Sequence, residues 1–350
     1  MEKKLSKTIS DNQLSVINLN GQSFKIELYK KENVFLTLSK EWSELLKSKT
    51  DPHPFYLPEW QFSWWREFGE GKLKIFTIRD ENENLIGIFP FELKENGCLH
   101  LIGGKDLSDY LDIIIHDKFQ DICLELFFKF LNSSDIPWKE IKFRGIPNES
   151  PTLNLLKNIY GDKLNLTKEE VCPIVQLPET WDTYLQKLEP RFKRNLLRKI
   201  RKVEINENIE FYESKENLEN DLNSFILLHS MSQPEKADFW NDKRKKFFFE
   251  ITSRMAKKNY LRLSFLKLDN YPIASTLSFI FNRKIYLYNS GYDTNTPEFS
   301  SGLVLLAYNI NQAINEKITH FDMLRGNESY KYDFGSQDTI IWSVIVPNID

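Results

Sequence analysis

The chain has 350 residues, with 47 Lys and Arg against 50 Asp and Glu, a formal net charge of −3, and 41% hydrophobic and 14% aromatic residues. That balance excludes a generic nucleic-acid binder held by bulk charge and a chain too polar to bury a core. The length suits two domains rather than one.

The apolar run Leu124 to Leu131 is interrupted by Glu125 and Lys129 and falls short of a bilayer span, so no transmembrane helix is expected. MEKKLSKTISDNQ opens the chain without an apolar stretch and a small-residue cleavage site behind it, which predicts no signal peptide and a cytoplasmic location. Cys98, Cys123 and Cys172 are widely spaced, and the 5 histidines lack ligand spacing, so no metal is expected.

Residues 1–20 read as a flexible arm. A strand (Phe24 to Tyr29) and two helices (Leu36 to Leu46, Pro58 to Phe68) follow, then strands Leu73 to Arg79, Leu85 to Leu93, Leu99 to Ile102 and Tyr110 to Ile115. A helix from Phe119 to Leu131, a strand from Glu140 to Arg144 and a helix beginning near Pro151 close the first half. From Cys172 the order restarts: strand Ile174 to Leu177, helices Thr180 to Leu188 and Arg191 to Val203, strand Ile209 to Tyr212, and helices from Lys215 and Phe239. Strands Leu261 to Leu268, Pro272 to Phe281 and Ile285 to Asn289 come next, then an apolar helix from Ser301, a short strand, a polar loop and a strand from Thr339 to Val346.

TIRDENENLIGIFPFEL from Thr77 and FLKLDNYPIASTLSFIF from Phe265 each read as strand, Asp/Asn turn, strand, and they echo each other across the halves. The expected division is an arm at 1–20, a degenerate domain at 21–170 and a site-bearing domain at 171–350. The fold class is mixed α/β, with central sheets flanked by helices.

An anion is favoured where a helix opens, because the first N–H groups lack partners and the dipole is positive there. In the second half that place reads Ser300, Ser301, Gly302, Leu303, which suits a pyrophosphate or an ordinary N-cap. The first-half counterpart, His116 to Asp121, has two carboxylates and no glycine. RFKRNLLRKIRK, from Arg191 to Lys202, holds 7 basic residues and no acid. Arg191, Arg194, Arg198 and Arg201 share a face, while Phe192, Leu196, Ile200 and Val203 form an apolar stripe. The charged face is either simply solvated or faces the phosphates of a cofactor, an anionic substrate such as a nucleotide-linked sugar or a tRNA acceptor stem, or an anionic membrane, with Arg194 and Arg198 as candidate substrate contacts.

HFDMLRGNESYKYDFG, from His320, is the densest cluster of polar and aromatic side chains. Asp322 is a candidate base or substrate anchor and Glu328 the alternative base, Tyr330 a candidate acid, and Arg325 and Lys331 candidate ligands of phosphate or acceptor. Tyr292 stands ahead of the Ser-Ser-Gly turn as a further acceptor contact. His229, in LNSFILLHSMSQ, either reaches the acceptor or is satisfied within its helix.

PFYLPEWQFSWWREFG, TWDTYLQKL, RFKRNLLRKI, GYDTNTPEFSSGLVLL and FDMLRGNESYKYDFG together resemble the GNAT-type acetyltransferases of cellulose and exopolysaccharide biosynthesis, the CelD/BcsL type. The resemblance covers nearly the whole chain. It implies tandem GNAT-like domains related to FemAB/FemX proteins, a mixed sheet splayed by a central bulge, and an acetyl-CoA or other acyl-CoA donor. The expected acceptor is an amino- or hydroxy-sugar or a nucleotide- or lipid-linked precursor. The alternatives are a FemX-like aminoacyl-tRNA-dependent peptidyltransferase and a noncatalytic partner of a polysaccharide-synthesis complex at the membrane.

Overall fold

A computed structural model describes residues 13–104 and 106–348. The chain forms two compact units, one of Met1–Glu169 with Trp342–Asp350 and the other of Glu170–Ile341.

In chain order the first unit contains β1 (Gln13–Leu19), β2 (Gln22–Tyr29), α1 (Val34–Thr37), α2 (Ser39–Lys47) and α3 (Pro58–Phe68). β3 (Lys72–Arg79), β4 (Leu85–Leu93), β5 (Cys98–Leu101), β6 (Ile114–Ile115), α4 (Gln120–Ser133), β7 (Glu140–Pro147) and α5 (Pro151–Tyr160) complete it. Its sheet runs β1-β2-β3-β4-β5-β7, with β6 beside β4. Neighbours are antiparallel except β5 and β7, which pair parallel over Cys98–His100 and Glu140–Lys142. The core is aromatic: Phe127 of α4 stacks on Phe89 with ring centroids 4.3 Å apart and meets Phe76 edge-on at 5.2 Å.

Three sequence readings change here. The expected flexible arm at 1–20 is partly a strand: residues 1–12 lie outside the described residues, and β1 pairs along its length with β2. The helix expected over Leu36 to Leu46 breaks at Leu38, which leaves helical geometry between α1 and α2. Of the strand expected over Tyr110 to Ile115 only Ile114–Ile115 pair. Tyr110, Leu111 and Ile113 are buried, and Leu111 N–H donates to Gly145 O at 3.0 Å, so the apolar run marks a buried connection rather than a ladder.

In the second unit, β8 (Asn165–Gln176, entering from the first), α6 (Trp181–Lys187), α7 (Pro190–Glu204) and β9 (Ile209–Glu213) lead to α8 (Leu218–Ser232), α9 (Pro234–Asp238) and α10 (Asp242–Lys257). β10 (Leu261–Leu268), β11 (Tyr271–Phe281), β12 (Lys284–Tyr292), α11 (Ser301–Asn315), β13 (His320–Asp322) and α12 (Ser329–Asp333) follow, before β14 (Gln337–Pro347) returns the chain to the first unit. The strand order is β9-β10-β11-β12-β13-β8, again with one parallel pair, β12 and β13. Val304, Leu305, Ala307, Ile310 and Ile314 of α11 pack on Leu266, Ile285, Leu287 and Phe321, while Leu196, Ile200 and Val203 of α7 enter the same core. Among the described residues no helix is long and apolar enough to cross a membrane.

Two features open this sheet. β12 meets β13 over three residue pairs only, Lys284 to Tyr286 against His320 to Asp322, and β12 then runs on to Tyr292 without a second neighbour strand among the described residues. Against β11 its register shifts between Leu277–Asn289 and Ser278–Leu287, leaving Tyr288 as an extra residue. A bulge bends the strand that carries it and increases its twist, turning the far end of β12 away from β13.

Gly291 fixes how closely α8 approaches that end. A Cβ there would lie 2.3 Å from His229 N and 2.5 Å from Leu228 C, both helix backbone, which cannot give way as a side-chain tip can. Gly291→Ala is therefore expected to cost at least about 1–3 kcal/mol of stability, read as a lowered urea midpoint.

Candidate functional site

Where β12 leaves β13, the second unit holds a cavity of about 570 Å³ bounded by Leu287, Ser290, Tyr292 and Asp293, by residues 300–303 and Leu306, and by Gln233, Lys236, Glu328 and Tyr330. It brings together seven residues anticipated from sequence: Ser300, Ser301, Gly302, Leu303, Tyr292, Glu328 and Tyr330.

The turn before α11 explains its anion-facing wall. Ser300 adopts a left-handed conformation at φ 50°, ψ 44°, and its carbonyl accepts the N–H groups of Leu303 and Val304 at 3.0 and 3.2 Å. Ser301 and Gly302 thus open the helix with N–H groups that have no backbone acceptor among the described residues. The hydroxyls are used differently from the simple expectation. Ser301 Oγ is buried and donates to Ile273 O at 3.1 Å, pinning the helix to β11, and Ser300 Oγ accepts from Lys199 Nζ at 2.8 Å. Lys202 donates to Glu298 O at 3.0 Å and lies 5.3 Å from the Phe299 ring centre. The basic helix therefore meets this wall through Lys199 and Lys202. Arg194 and Arg198 point to solvent one face away, and neither lines the cavity.

The opposite wall carries charge that the sequence reading missed. Lys236, on α9, donates from Nζ to Ser290 O at 2.8 Å, on the open part of β12. Burial lowers its pKa, and the nearby Glu328 carboxylate partly counters that. Tyr330 is pushed the other way: burial, reinforced by Glu328, raises its phenol well above the usual value, so it stays protonated. Pro234 starting a short helix between two longer ones was the signal for Lys236, since ligand-facing groups concentrate on such connections.

Asp322, Arg325, Lys331 and His229 do not line the cavity. Asp322 is 1% exposed, and its carboxylate accepts Leu324 N–H at 2.8 Å, holding Leu324 at φ 55° where the strand ends. This makes it a turn-forming residue rather than a base in contact with ligand. Lys331 is 3% exposed, with Nζ within 3.2 Å of Leu324 O, 2.8 Å of Arg325 O, 3.1 Å of Gly326 O and 3.0 Å of Glu328 Oε2. An ammonium has three protons, so none remains for a phosphate. Its effect is to close the loop on itself and to hold Glu328 at the cavity.

His229 is buried behind β12. Trp240 Nε1–H donates to Nδ1 at 3.0 Å, which leaves Nε2–H to donate to Asn289 Oδ1 at 3.0 Å. Burial, with Lys236 nearby, lowers its pKa to about 4. The ring is a neutral clamp joining α8, Trp240 and the bulged part of β12, instead of an acceptor contact. Among the described residues no group of three or more His, Cys, Asp or Glu is placed to hold a metal ion.

The clamp has a pH consequence. With a folded pKa near 4 and an unfolded value near 6.5, the unfolded chain binds the extra proton first as pH falls. The stabilisation is complete above the unfolded value and declines as pH drops toward the folded one. Chemical denaturation from neutral pH down to pH ~4 should show wild type ahead of His229→Gln near neutrality, with the gap closing on acidification.

Residues 190–332 match the family described as acetyltransferase (GNAT) domain. No curated protein matches the chain. Similar solved structures include FemX, at 10% identity and TM-score 0.63 over 87% of this chain and 95% of that one. The C-terminal domain (DUF2156) of a putative lysylphosphatidylglycerol synthetase from Agrobacterium fabrum has 9% identity and TM-score 0.55 over 89% and 92%. L-PGS from Bacillus licheniformis has 10% identity and TM-score 0.55 over 87% and 90%. At these identities the likenesses establish a shared mixed α/β fold. The matched segment contains every residue that lines the cavity, from Gln233 to Tyr330, and an acetyltransferase domain there supports an acyltransferase activity.

Proposed function

We propose that the second unit transfers an acyl group from acyl-CoA to an amine or hydroxyl of a sugar or of its nucleotide- or lipid-linked precursor, in envelope or exopolysaccharide assembly as the CelD/BcsL resemblance implies. The observation that carries the donor half is the cavity at the splayed end of β12, within the matched acetyltransferase domain. Ser301 and Gly302 offer N–H groups to a pyrophosphate beside the Lys199 ammonium, and the unpaired part of β12 offers peptide groups to the amides of a pantetheine arm.

In the transfer, the acceptor nitrogen or oxygen attacks the thioester carbon, the carbon–sulfur bond breaks, and the thiolate leaves. Glu328, lining the cavity and held by Lys331, takes the acceptor proton; Tyr330, kept protonated by its surroundings, returns one to the thiolate. Lys236 and Tyr292 face the same space and contact the acceptor.

The alternative of aminoacyl-tRNA-dependent peptidyl transfer draws on the exposed arginines of α7 and the FemX-like fold. Calorimetric titration with acetyl-CoA separates the two. Saturable binding below millimolar ligand is expected, and no heat at millimolar ligand overturns the acyl-CoA reading. Tyr330→Phe should retain that binding while kcat falls by about 10²–10⁴; an unchanged rate would remove the phenol from its role as acid.

A further inference from the structure

The outer face of α7 takes no part in the cavity. Arg191, Arg194, Arg198 and Arg201 are all exposed and lie along one side of the helix, opposite the buried Leu196, Ile200 and Val203. No acid occurs between Pro190 and Val203, and among the described residues none of the four arginines has a carboxylate at ion-pair distance. Arg198 bonds only to Asn195 Oδ1, at 2.9 Å.

An apolar side chain sits in line with this row. At 100° per residue Ile205, the helix C-cap, falls between Arg194 and Arg198 in angle, and it is 72% exposed. The connection that follows is tied to the β10–β11 turn: Asp269 N–H donates to Asn208 O at 2.9 Å, and Leu268 pairs with Ile209. That turn presents Tyr271, 76% exposed. One end of the second unit thus shows an arginine row, an isoleucine and a tyrosine to solvent.

We propose that this face docks the protein on an anionic lipid bilayer. Guanidinium groups pair bidentately with lipid phosphates, a tyrosine settles at headgroup depth, and an isoleucine gains by entering the acyl boundary. Nucleic acid would use the arginines, whereas an isoleucine and a tyrosine exposed at the same end favour a bilayer. Lys199 and Lys202, on the flank of the same helix, touch the turn before α11, so a docked face brings the cavity rim close to the lipid surface. Docking is read without substrate and stands whether or not acyl-CoA is the donor.

The full-length protein should co-sediment with vesicles of phosphatidylcholine and phosphatidylglycerol, not with phosphatidylcholine alone, and high salt should release it. Each arginine contributes about fivefold in binding, so Arg194→Glu with Arg198→Glu should weaken it by at least about 25-fold. Ile205→Asn should weaken it with the salt dependence unchanged. All these positions are exposed, and thermal melting checks that the variants fold. Absence of vesicle binding, binding undiminished in the double variant, or arginine-dependent binding of tRNA without vesicle binding would each overturn the proposal.

Discussion

The three-residue parallel pairing of β12 with β13 is the constraint on which the second unit depends. A strand needs partners for its N–H and C=O groups, and β12 loses one set after Tyr286. Lys236 compensates one of them, reaching from α9 to the Ser290 carbonyl, while His229 braces the strand from α8 through the Asn289 side chain. The bulge at Tyr288 and the absent Cβ at Gly291 allow α8 to come near enough for both. The cavity is therefore a consequence of unfinished sheet pairing, and Lys236, which caps a free carbonyl of β12, becomes part of its wall.

The polar segment after β13 is organised from inside. Lys331 sits among three carbonyls and a carboxylate, and Asp322 bonds to a backbone N–H at the strand end. Burying an ammonium is costly unless its protons are all bonded, and here they are. The Lys331 ion pair holds Glu328 at the cavity, which Tyr330 also lines, so the segment divides into residues that build the loop and residues that the loop presents.

That division was invisible in sequence. HFDMLRGNESYKYDFG marks the right segment, yet residue type alone cannot tell a lysine that holds carbonyls from one that meets a ligand. The helix Pro58–Phe68 and the strands Leu85–Leu93 and Leu261–Leu268 were legible to the residue, because Pro starts the helix and apolar runs between turn residues bound the strands. Tyr110 to Ile115 misled for a related reason: burial under a loop leaves the same apolar run as burial in a sheet. Lys236 escaped because the contact that defines it, Ser290, lies far along the chain, and no periodicity records such contacts.

The two units share a strand order, yet the corresponding places differ in what fills them. In the first unit β5 and β7 also pair over three residues, and α4 also follows a short 3-10 turn. There, however, the chain supplies its own occupants. Leu107, Tyr110 and Leu111 are buried in the connection that follows β5, and Leu111 bonds to Gly145 of β7. At the helix entrance His116 Nδ1 accepts Lys118 N–H, and Asp117 binds Thr50 and Gln120. The imidazole takes a helix-entrance N–H that a phosphate would need, and the carboxylate repels an anion there. In the second unit the equivalent turn carries serines, a glycine and a lysine from the neighbouring helix, and the space beside β12 stays open. One topology thus yields a place that the chain itself occupies in the first unit and an open one in the second.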